Sequence, residues 1–557
     1  MKELKPMLFS SLKGYTGKQF VGDLISGIIV AIIALPLSIA LALASGVGPE
    51  EGLYTAIVAG FLISFFGGSR VQIAGPTAAF ATIVAGIVAQ NGMDGLIVAT
   101  VMAGVILILM GILKLGKLIK FIPYTITTGF TAGIAVTILV GQLKDFFGLT
   151  YPEGLKPIET VEKLEAFFHH LPTINWWAVL VGAVALAVLI VLPKIKYLNK
   201  IPASAVAVLL GIGMVQVFDL QVNTIGDLYT VSSKLPALKL PAFDLPLIRA
   251  MLPNAFTIAI LAAIESLLSC VVADGMTNTK HRPNAELVAQ GIGNVGSALF
   301  GGIPATGAIA RTAANIKSGG RTPIAGMVHA AVLLLILLLL MPYAALIPMP
   351  VIAAILFHVA YNMCQWRPFV RLVKTAPVSD IVVLVTTFVL TVIFDLVVAI
   401  AVGIVLSCLL FMKRMSDETD IHGWSDANTD DSHKLSALPE GVCVYELSGP
   451  LFFGATDKIA KISAHEDTKC IVLRMRSVSA IDATAMNALT SLCEHCAENG
   501  IQVVFSHVNK QPLQAIRHAG LLDQVGEQYF CAHIDDALTL AKEIVQTTEN
   551  TTKAENE

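Results

Sequence analysis

The sequence predicts a polytopic α-helical membrane protein that ends in a separate α/β domain. Hydrophobic residues make up 55% of the chain, charged residues only 14%, and the mean hydropathy is +0.75. In soluble chains roughly a quarter of the residues are charged. Apolar runs of about 20 residues, long enough to cross a bilayer, recur about fourteen times before residue 414. Beyond that residue the composition is that of a soluble domain.

The predicted elements follow one another along the chain. Residues 1–20 carry lysines but no small-residue cleavage site, so we expect a cytoplasmic N-terminal segment rather than a cleaved signal peptide. Residues 21–414 form the membrane domain and residues 415–440 a polar linker. Residues 441–546 alternate apolar strands with amphipathic helices, and residues 547–557 are expected to be a disordered tail.

Charge separates the two parts. Residues 1–414 contain 27 Lys and Arg against 18 Asp and Glu, whereas residues 415–557 contain 10 against 22. The acidic C-terminal domain is therefore unsuited to nucleic-acid binding. The positive-inside rule places both termini in the cytoplasm, because the outside loops then hold only a few basic residues. These are Lys144, Lys156, Lys163, Lys234, Lys239 and Arg249.

The cysteines indicate no metal centre. Cys493 and Cys496 in "CEHC" have the spacing of a metal or redox pair. No second pair stands at zinc-like spacing, and the motif lies within a helical pattern, so we interpret the two residues as one face of a helix. We expect no cofactor.

Two short membrane segments are interrupted in the same way. "VQIAGPTAAFATIVAGIV" contains Pro76 and "GGIPATGAIARTAANI" contains Pro304, and both are rich in small residues. "IPYTITTGFTAGIAV" and "IPMPVIAAILFHVAY", which begin at Ile122 and Ile347, follow them at similar offsets. Interrupted segments at matching positions are typical of transporter repeats. We therefore predict two copies of a seven-span unit, inverted because seven is odd.

The two prolines predict the starts of half-helices within the membrane, because proline is well tolerated in the first turn of a helix. Each start presents unpaired N–H groups and the positive end of a helix dipole. Facing starts would form an anion pocket lined by small residues. One side would contain Thr77, Ala78 and Ala79, and the other Ala305, Thr306, Gly307, Ala308, Ile309 and Ala310. Taken singly, either proline could instead mark a helix kink.

Two charged residues stand out in the membrane domain. Arg311, about two turns into the second half-helix, would add positive charge to the pocket, or could extend toward the cytoplasm. Glu265 in "FTIAILAAIESLLSCVVA" is its expected counterpart, and Ser269 lies one turn later on the same face. A buried carboxylate can be kept protonated, bind a cation or pair with arginine, and each makes it a coupling group. We expect the remaining polar residues near span ends: His329, His358, Asp274, Asp395 and Glu286.

Both parts of the chain resemble known families. "GDLISGIIVAIIALPLSIALALASGVGPEEGLY" and "VADGMTNTKHRPNAELVAQGIGNVGSALFGGIPATG" resemble the SulP anion permeases, bacterial relatives of the solute-carrier 26 transporters. "ELSGPLFFGATDKI" and "CIVLRMRSVSAIDATAMNALTSL" resemble the STAS domain that those permeases carry. The resemblance implies a seven-plus-seven inverted repeat with core and gate domains, a homodimer, and elevator-like movement in a bacterial cytoplasmic membrane.

The resemblance also implies roles for individual residues. The anion would lie between the starts of the third and tenth spans, at Thr77 and Ala78 and at Gly307, Ala308 and Ile309. Glu265 and Ser269 match the coupling positions, where a sodium ion could bind together with Gly307. Sodium-coupled bicarbonate members carry aspartate in place of Glu265 and threonine in place of Ile309, and these departures favour proton coupling.

The C-terminal domain departs from its relatives at one position. In anti-sigma-antagonist relatives a phosphorylated serine follows the loop aspartate, whereas Ala483 follows Asp482 here. We therefore expect a scaffold or a site for a cytosolic partner rather than a phosphorylation switch.

The sequence as a whole predicts a secondary active anion transporter, coupled to protons through Glu265. The alternatives are a sodium-coupled bicarbonate symporter, an uncoupled anion channel, and a membrane sensor that signals through the STAS domain. An enzyme is not expected, since no nucleophile, base and orienting acid stand at recognisable spacing. Sulfate, bicarbonate and dicarboxylates all suit such a pocket.

Overall fold

The structure is a computed structural model. It describes residues 4–117, 123–152, 155, 157, 159–196, 201–238, 241, 244–394, 396–424, 440–464 and 467–556. Ile122, Lys156, Lys239, Asp395 and most of the expected linker lie outside these residues. The chain divides into two compact units, Met1–Ile404 and Val405–Glu557.

Residues 7–418 are built almost entirely of helices, and the last of these helices continues from the first unit into the second. In chain order the elements are α1 (Met7–Ser11), α2 (Gly17–Ala44), α3 (Pro49–Phe66), β1 (Ala74–Gly75), α4 (Ala81–Ile112), α5 (Tyr124–Gly141), α6 (Leu143–Phe147), α7 (Thr160–His169), α8 (Trp176–Val191), α9 (Ala203–Phe218), α10 (Ile225–Leu228), α11 (Leu245–Thr277), α12 (Pro283–Leu299), β2 (Thr306–Gly307), α13 (Ile309–Lys317), α14 (Ile324–Ala344), α15 (Met349–Cys364), α16 (Trp366–Thr375), α17 (Val378–Ile393) and α18 (Leu396–Glu418). A 3₁₀ turn, Ala78–Phe80, precedes α4.

Among the described residues, eight helices are long and apolar enough to cross a bilayer, and two shorter apolar helices, α9 and α17, accompany them. The number is lower than the predicted fourteen partly because α4 joins two helices across Gly92, whose φ of 65° and ψ of −170° are not helical. Glycine adopts such a conformation without steric cost. The count of fourteen spans stays a prediction.

Small residues let α4 and α12 pack closely. A Cβ on Gly104 would lie 2.6 Å from Val295 Cγ2, and a Cβ on Gly291 would lie 2.5 Å from the Gly104 carbonyl oxygen. Membrane helices associate through such small-residue contacts, because lipid supplies no hydrophobic driving force between them. α12 is thereby held against α4, and it also packs on α3.

The second unit contains a five-stranded sheet with helices on its faces. Its elements are β3 (Asp420–Gly423), β4 (Val442–Ser448), α19 (Thr456–Ile459), β5 (Cys470–Ser477), α20 (Ala483–Glu498), β6 (Gln502–Ser506), α21 (Lys510–His518), α22 (Leu521–Val525), β7 (Phe530–Cys531) and α23 (Ile534–Asn556). The strand order is β3-β4-β5-β6-β7; β3 is antiparallel to β4 and the other pairs are parallel. The backbone is helical up to Asn556, where the sequence predicts a disordered tail.

The helix-face interpretation of "CEHC" is confirmed. Cys493 and Cys496 lie on α20, are buried in the core of the second unit, and are free thiols. Burial, with smaller contributions from the neighbouring Cys496 and Glu494, raises the pKa of the Cys493 thiol to about 12. Asp482 caps α20, since its Oδ1 accepts the Ala485 N–H at 2.8 Å.

Candidate functional site

The two interrupted membrane segments meet, as predicted. We call residues 67–77, which precede the first half-helix, the first lead, and residues 300–308, which precede the second, the second lead. Their strands β1 and β2 pair antiparallel, with Ala74 opposite Gly307 and Gly75 opposite Thr306. The Ala308 N–H also donates to the Ile73 carbonyl oxygen at 2.9 Å. Extended backbone is therefore satisfied inside the protein, as a membrane requires.

The half-helices begin later than the prolines suggested. Pro76 stands two residues before the 3₁₀ turn that opens at Ala78, and Pro304 stands five residues before α13 opens at Ile309. The expectation that both prolines occupy first turns is wrong, because each lies in a lead shaped by the β1–β2 pairing. Neither half-helix start carries a side-chain cap. The first-turn N–H groups of α13 therefore have neither an intrahelical nor a capping partner.

The predicted pocket residues separate into accessible and buried groups. Ile309 is 37% exposed, Ala310 is exposed, and Thr77, Glu265 and Ala308 are partly exposed. By contrast, Ala78, Ala79, Ala305, Thr306 and Gly307 are buried. The accessible side of the site is thus formed by Thr77 and by the first turn of α13, with Glu265 beside them.

Two backbone N–H groups in the predicted anion site already donate hydrogen bonds within the protein. The Gly307 N–H donates to Ser266 Oγ at 3.0 Å, and the Ala308 N–H binds the first lead. Ser266 also shares a hydrogen bond of 2.7 Å with Thr306 Oγ1, so the Thr306 hydroxyl faces α11. These two N–H groups therefore have partners within the protein, and the placement of the anion at Gly307 and Ala308 stays a prediction. Ser266 was missed from the sequence, although it follows Glu265 directly.

Arg311 lies in the first turn of α13, not two turns into it. Its side chain is 1% exposed, and Nη2 donates to the Pro76 carbonyl oxygen at 3.0 Å. It therefore links the second half-helix to the first lead, and it does not extend toward the cytoplasm. Within the described part of the chain, Nε and Nη1 have no hydrogen-bond partner, and no carboxylate forms an ion pair with the guanidinium.

Glu265 is not the ion-pair partner of Arg311. Its Oε2 accepts the Thr77 hydroxyl at 3.0 Å, which joins α11 to the start of the first half-helix. No ion pair connects Glu265 to Arg311 among the described residues. Ser269 turns away as well, since its hydroxyl donates to Thr312 Oγ1 at 3.4 Å. Glu265 and Ser269 therefore have different hydrogen-bond partners, and no hydrogen bond among the described residues joins the two side chains around one cation.

A sodium ion at Glu265, Ser269 and Gly307 stays a prediction. The described residues contain no group of three or more His, Cys, Asp or Glu side chains that could hold a metal ion. In the candidate set Glu265, Ser269 and Gly307, the Glu265 carboxylate accepts the Thr77 hydroxyl and the Ser269 hydroxyl donates to Thr312, so their side chains have different partners.

Two polar residues expected at span ends are deep in the protein. His329 on α14 is fully buried, and a Cβ on Gly60 would lie 3.9 Å from its Nδ1. Glu286 stands in the first turn of α12 but is also fully buried. Asp274 is a helix-end group, as expected, and contacts His281 at 2.7 Å. His358 is partly exposed.

Comparisons with known proteins agree on one family. The model of the Sulfate permease family matches residues 20–387, and that of the STAS domain matches residues 436–537. A putative sulfate transporter, YvdB, of Bacillus subtilis is 40% identical over 95% of this chain and 99% of its own length. The bicarbonate transporter BicA of a Synechocystis strain is 35% identical over 87% of each chain. The solved structure of SLC26A9 shares the fold, with a TM-score of 0.85 over 98% of this chain and 94% of its own, at 19% identity.

Proposed function

This chain belongs to the sulfate permease family of anion transporters, and from that premise we propose that it is a secondary active transporter of a small oxyanion. The anion binds at the first turn of α13, opposite Thr77 at the start of the first half-helix. Sulfate and bicarbonate are the first substrates to test, since the similar proteins are named for them. A dicarboxylate is the third.

The observation that carries this proposal is an electropositive spot built from two sources. The first-turn N–H groups of α13 are uncapped and lie beside accessible residues. Such a helix start attracts anions through its free donors and its dipole. Behind it, Arg311 holds a positive charge against the Pro76 carbonyl group, and no carboxylate of the described residues pairs with it. A buried charge without a partner is costly, so an arriving anion relieves that cost.

Glu265 is the proposed coupling group. It is partly exposed in the same region and accepts a hydrogen bond from Thr77, which faces the proposed anion. Uptake and release of a proton at Glu265 would change the charge next to the anion site by one unit. A proton needs only this one carboxylate, whereas sodium would need further hydroxyl or carbonyl oxygens in addition to it. Proton coupling therefore suits the arrangement better than sodium coupling.

The remaining features of the proposal concern the whole protein. We place both termini in the cytoplasm and the spans in a bacterial cytoplasmic membrane, with the chain acting as a homodimer. Elevator-like movement of a core domain against a gate domain would expose the site to each side in turn. The STAS domain serves as a scaffold or binds a cytosolic partner.

The proposal is tested by uptake into proteoliposomes. Purified protein is reconstituted, and labelled sulfate, bicarbonate and succinate are offered at two external pH values, with and without a sodium gradient. We expect saturable uptake of at least one anion that is driven by an inward proton gradient, is lost in Arg311→Gln, and loses its proton dependence in Glu265→Gln. Unsaturable flux would indicate a channel, sodium-driven flux a sodium symporter, and no flux of any anion a sensor.

A further inference from the structure

Both leads to the anion site are held by one helix. On α12 the polar side chains Glu286, Gln290, Asn294 and Ser297 follow one another at intervals of four, four and three residues, and all are fully buried. Residues at this spacing share one face of a helix. A continuous buried polar stripe in a membrane domain is costly unless every group has a partner. Glu286, Asn294 and Ser297 find partners on the two leads. The Gln290 side-chain amide donates to Glu286 within the stripe, and its Oε1 has no hydrogen-bond partner among the described residues.

Asn294 and Ser297 hold the second lead. Asn294 Nδ2 donates to the Ala305 carbonyl oxygen at 2.9 Å, and the Ala305 N–H donates to Asn294 Oδ1 at 2.8 Å. The side-chain amide thus pairs with the lead as a neighbouring strand would. Ser297 Oγ donates to the Ile303 carbonyl oxygen at 2.7 Å.

Thr55 on α3 completes this contact from the other side. The Ile303 N–H donates to Thr55 Oγ1 at 2.7 Å. A Cβ on Gly302 would lie only 2.4 Å from Ser297 Oγ and 2.7 Å from Thr55 Oγ1, so the lead passes directly between the two hydroxyl groups.

Glu286 holds the first lead. Its Oε2 accepts the N–H groups of Gly68 and Ser69 at 2.8 and 3.1 Å. Its Oε1 accepts the Gln72 and Gln290 side-chain amides, both at 2.9 Å. Three of these four donors, Gly68, Ser69 and Gln72, belong to the first lead and fix its position relative to α12, because bonds to a charged acceptor are stronger than neutral ones.

We propose that Thr55, Glu286, Asn294 and Ser297 are positioning residues for anion transport. They form a clamp that sets the distance between the two half-helix starts. The β1–β2 pair joins the leads to each other, and α11 also contacts both, through Cys270 to the first lead and through Ser266 to the second. The clamp adds a second attachment of both leads, to α12 and α3. The anion site therefore keeps its spacing, and with it its preference among anions, while the domain moves. This inference depends on the proposed transport function and adds residues that touch no anion.

Thr55 offers the cleanest test. Thr55→Val keeps the shape of the side chain but leaves the buried Ile303 N–H without its acceptor, and Thr55→Ser keeps the hydroxyl group. Thr100→Val is the matched control, since the buried Thr100 hydroxyl donates to Leu96 within its own helix and touches neither lead. Ser297→Ala is the second variant if Thr55→Val does not fold.

The readout is KM and kcat for labelled sulfate and labelled bicarbonate uptake by folded, monodisperse protein. We expect Thr55→Val to raise KM about 5- to 30-fold, the effect of one lost buried hydrogen bond, and to change the ratio of the two KM values. The kcat should change less than about twofold, Thr55→Ser should restore the wild-type KM, and Thr100→Val should match wild type. Equal KM values in Thr55→Val, Ser297→Ala and Thr100→Val, with wild-type uptake intact, would overturn the positioning role and leave the transport function standing.

Discussion

Gly307 is the position where a single methyl group should do most damage to the site. A Cβ added there would lie 2.0 Å from Gln72 Nε2 and 2.5 Å from Gln72 Cδ. Contacts this short do not occur, so either the Gln72 amide or strand β2 must move. Gln72 is buried and cannot swing into solvent. Gly307→Ala therefore forces a rearrangement at the crossing of the two leads.

The cost follows from the bonds that Gln72 makes. Its Nε2 donates to Glu286 Oε1 at 2.9 Å, and its Oε1 accepts the Cys270 thiol at 2.8 Å. A hydrogen bond to a charged group contributes about 1.5–3 kcal/mol and a neutral one about 1 kcal/mol. Displacing Gln72 should thus cost about 2.5–4 kcal/mol. Displacing β2 instead would require a movement of about 1 Å to relieve the 2.0 Å contact, next to the start of α13.

Thermal stability and uptake together measure this effect. We expect Gly307→Ala to lower the apparent melting temperature and to reduce anion uptake at least tenfold. Gly213→Ala on α9 is the control, because a Cβ there meets nothing within 4 Å. Adding Gln72→Ser to Gly307→Ala should recover part of the uptake by making room. Wild-type stability and uptake in Gly307→Ala would refute the close approach of Gln72 to the anion site.

Three further predictions concern separate parts of the chain. Ile309→Glu should abolish uptake while Ile309→Gln retains most of it, because a carboxylate at the α13 start takes the place of the anion; equal uptake in both variants would contradict this. The Tyr15 hydroxyl donates to Asp23 at 2.9 Å, and burial, followed by the hydrogen bond to Asp23 and the charge of Asp23, raises the pKa of Tyr15 from 10.0 to about 12. Tyr15→Phe should therefore lower the free energy of unfolding by about 1 kcal/mol below pH 10. In thermal melts this difference from wild type should vanish as the pH rises toward 12. Burial also raises the pKa of Cys493 to about 12, and the thiolate is the form that reacts with alkylating reagents. Mass spectrometry should therefore find Cys493 and Cys496 unalkylated at pH 8 until the protein is unfolded. Rapid labelling of the native protein would argue against a buried pair.

The broken segments and the domain order could be predicted from the sequence, because their physical causes are local. A proline among small residues between apolar runs marks backbone that cannot be a plain span, as at Pro76 and Pro304. The helix period around Cys493 likewise indicated a buried face without any knowledge of the fold. Such patterns depend on neighbours within a few residues.

The sequence could not show which backbone N–H groups of the site are free, because this depends on contacts between residues far apart in the chain. Ser266 takes the Gly307 N–H, and Ile73 takes that of Ala308. Arg311 points to Pro76 rather than to Glu265 for the same reason. Helical spacing describes which residues share a face but not which distant backbone group that face meets.

His329 shows the same limit for burial. Its place near the start of an apolar helix gave no local sign that the side chain is fully buried in the protein. α14 packs against α2 and α3, and that packing encloses the histidine completely. Tertiary contacts of this kind decide burial in a membrane protein, since lipid-facing and protein-facing helix sides are both apolar.

Anomalous diffraction from crystals grown with bromide or selenate tests the central claim most directly, because both anions scatter strongly and stand in for a halide and for sulfate. The account predicts a peak within about 3.5 Å of the first-turn N–H groups of α13, facing Thr77, that disappears in Ile309→Glu. A well-occupied peak elsewhere in the membrane unit, with none at the start of α13, would contradict it.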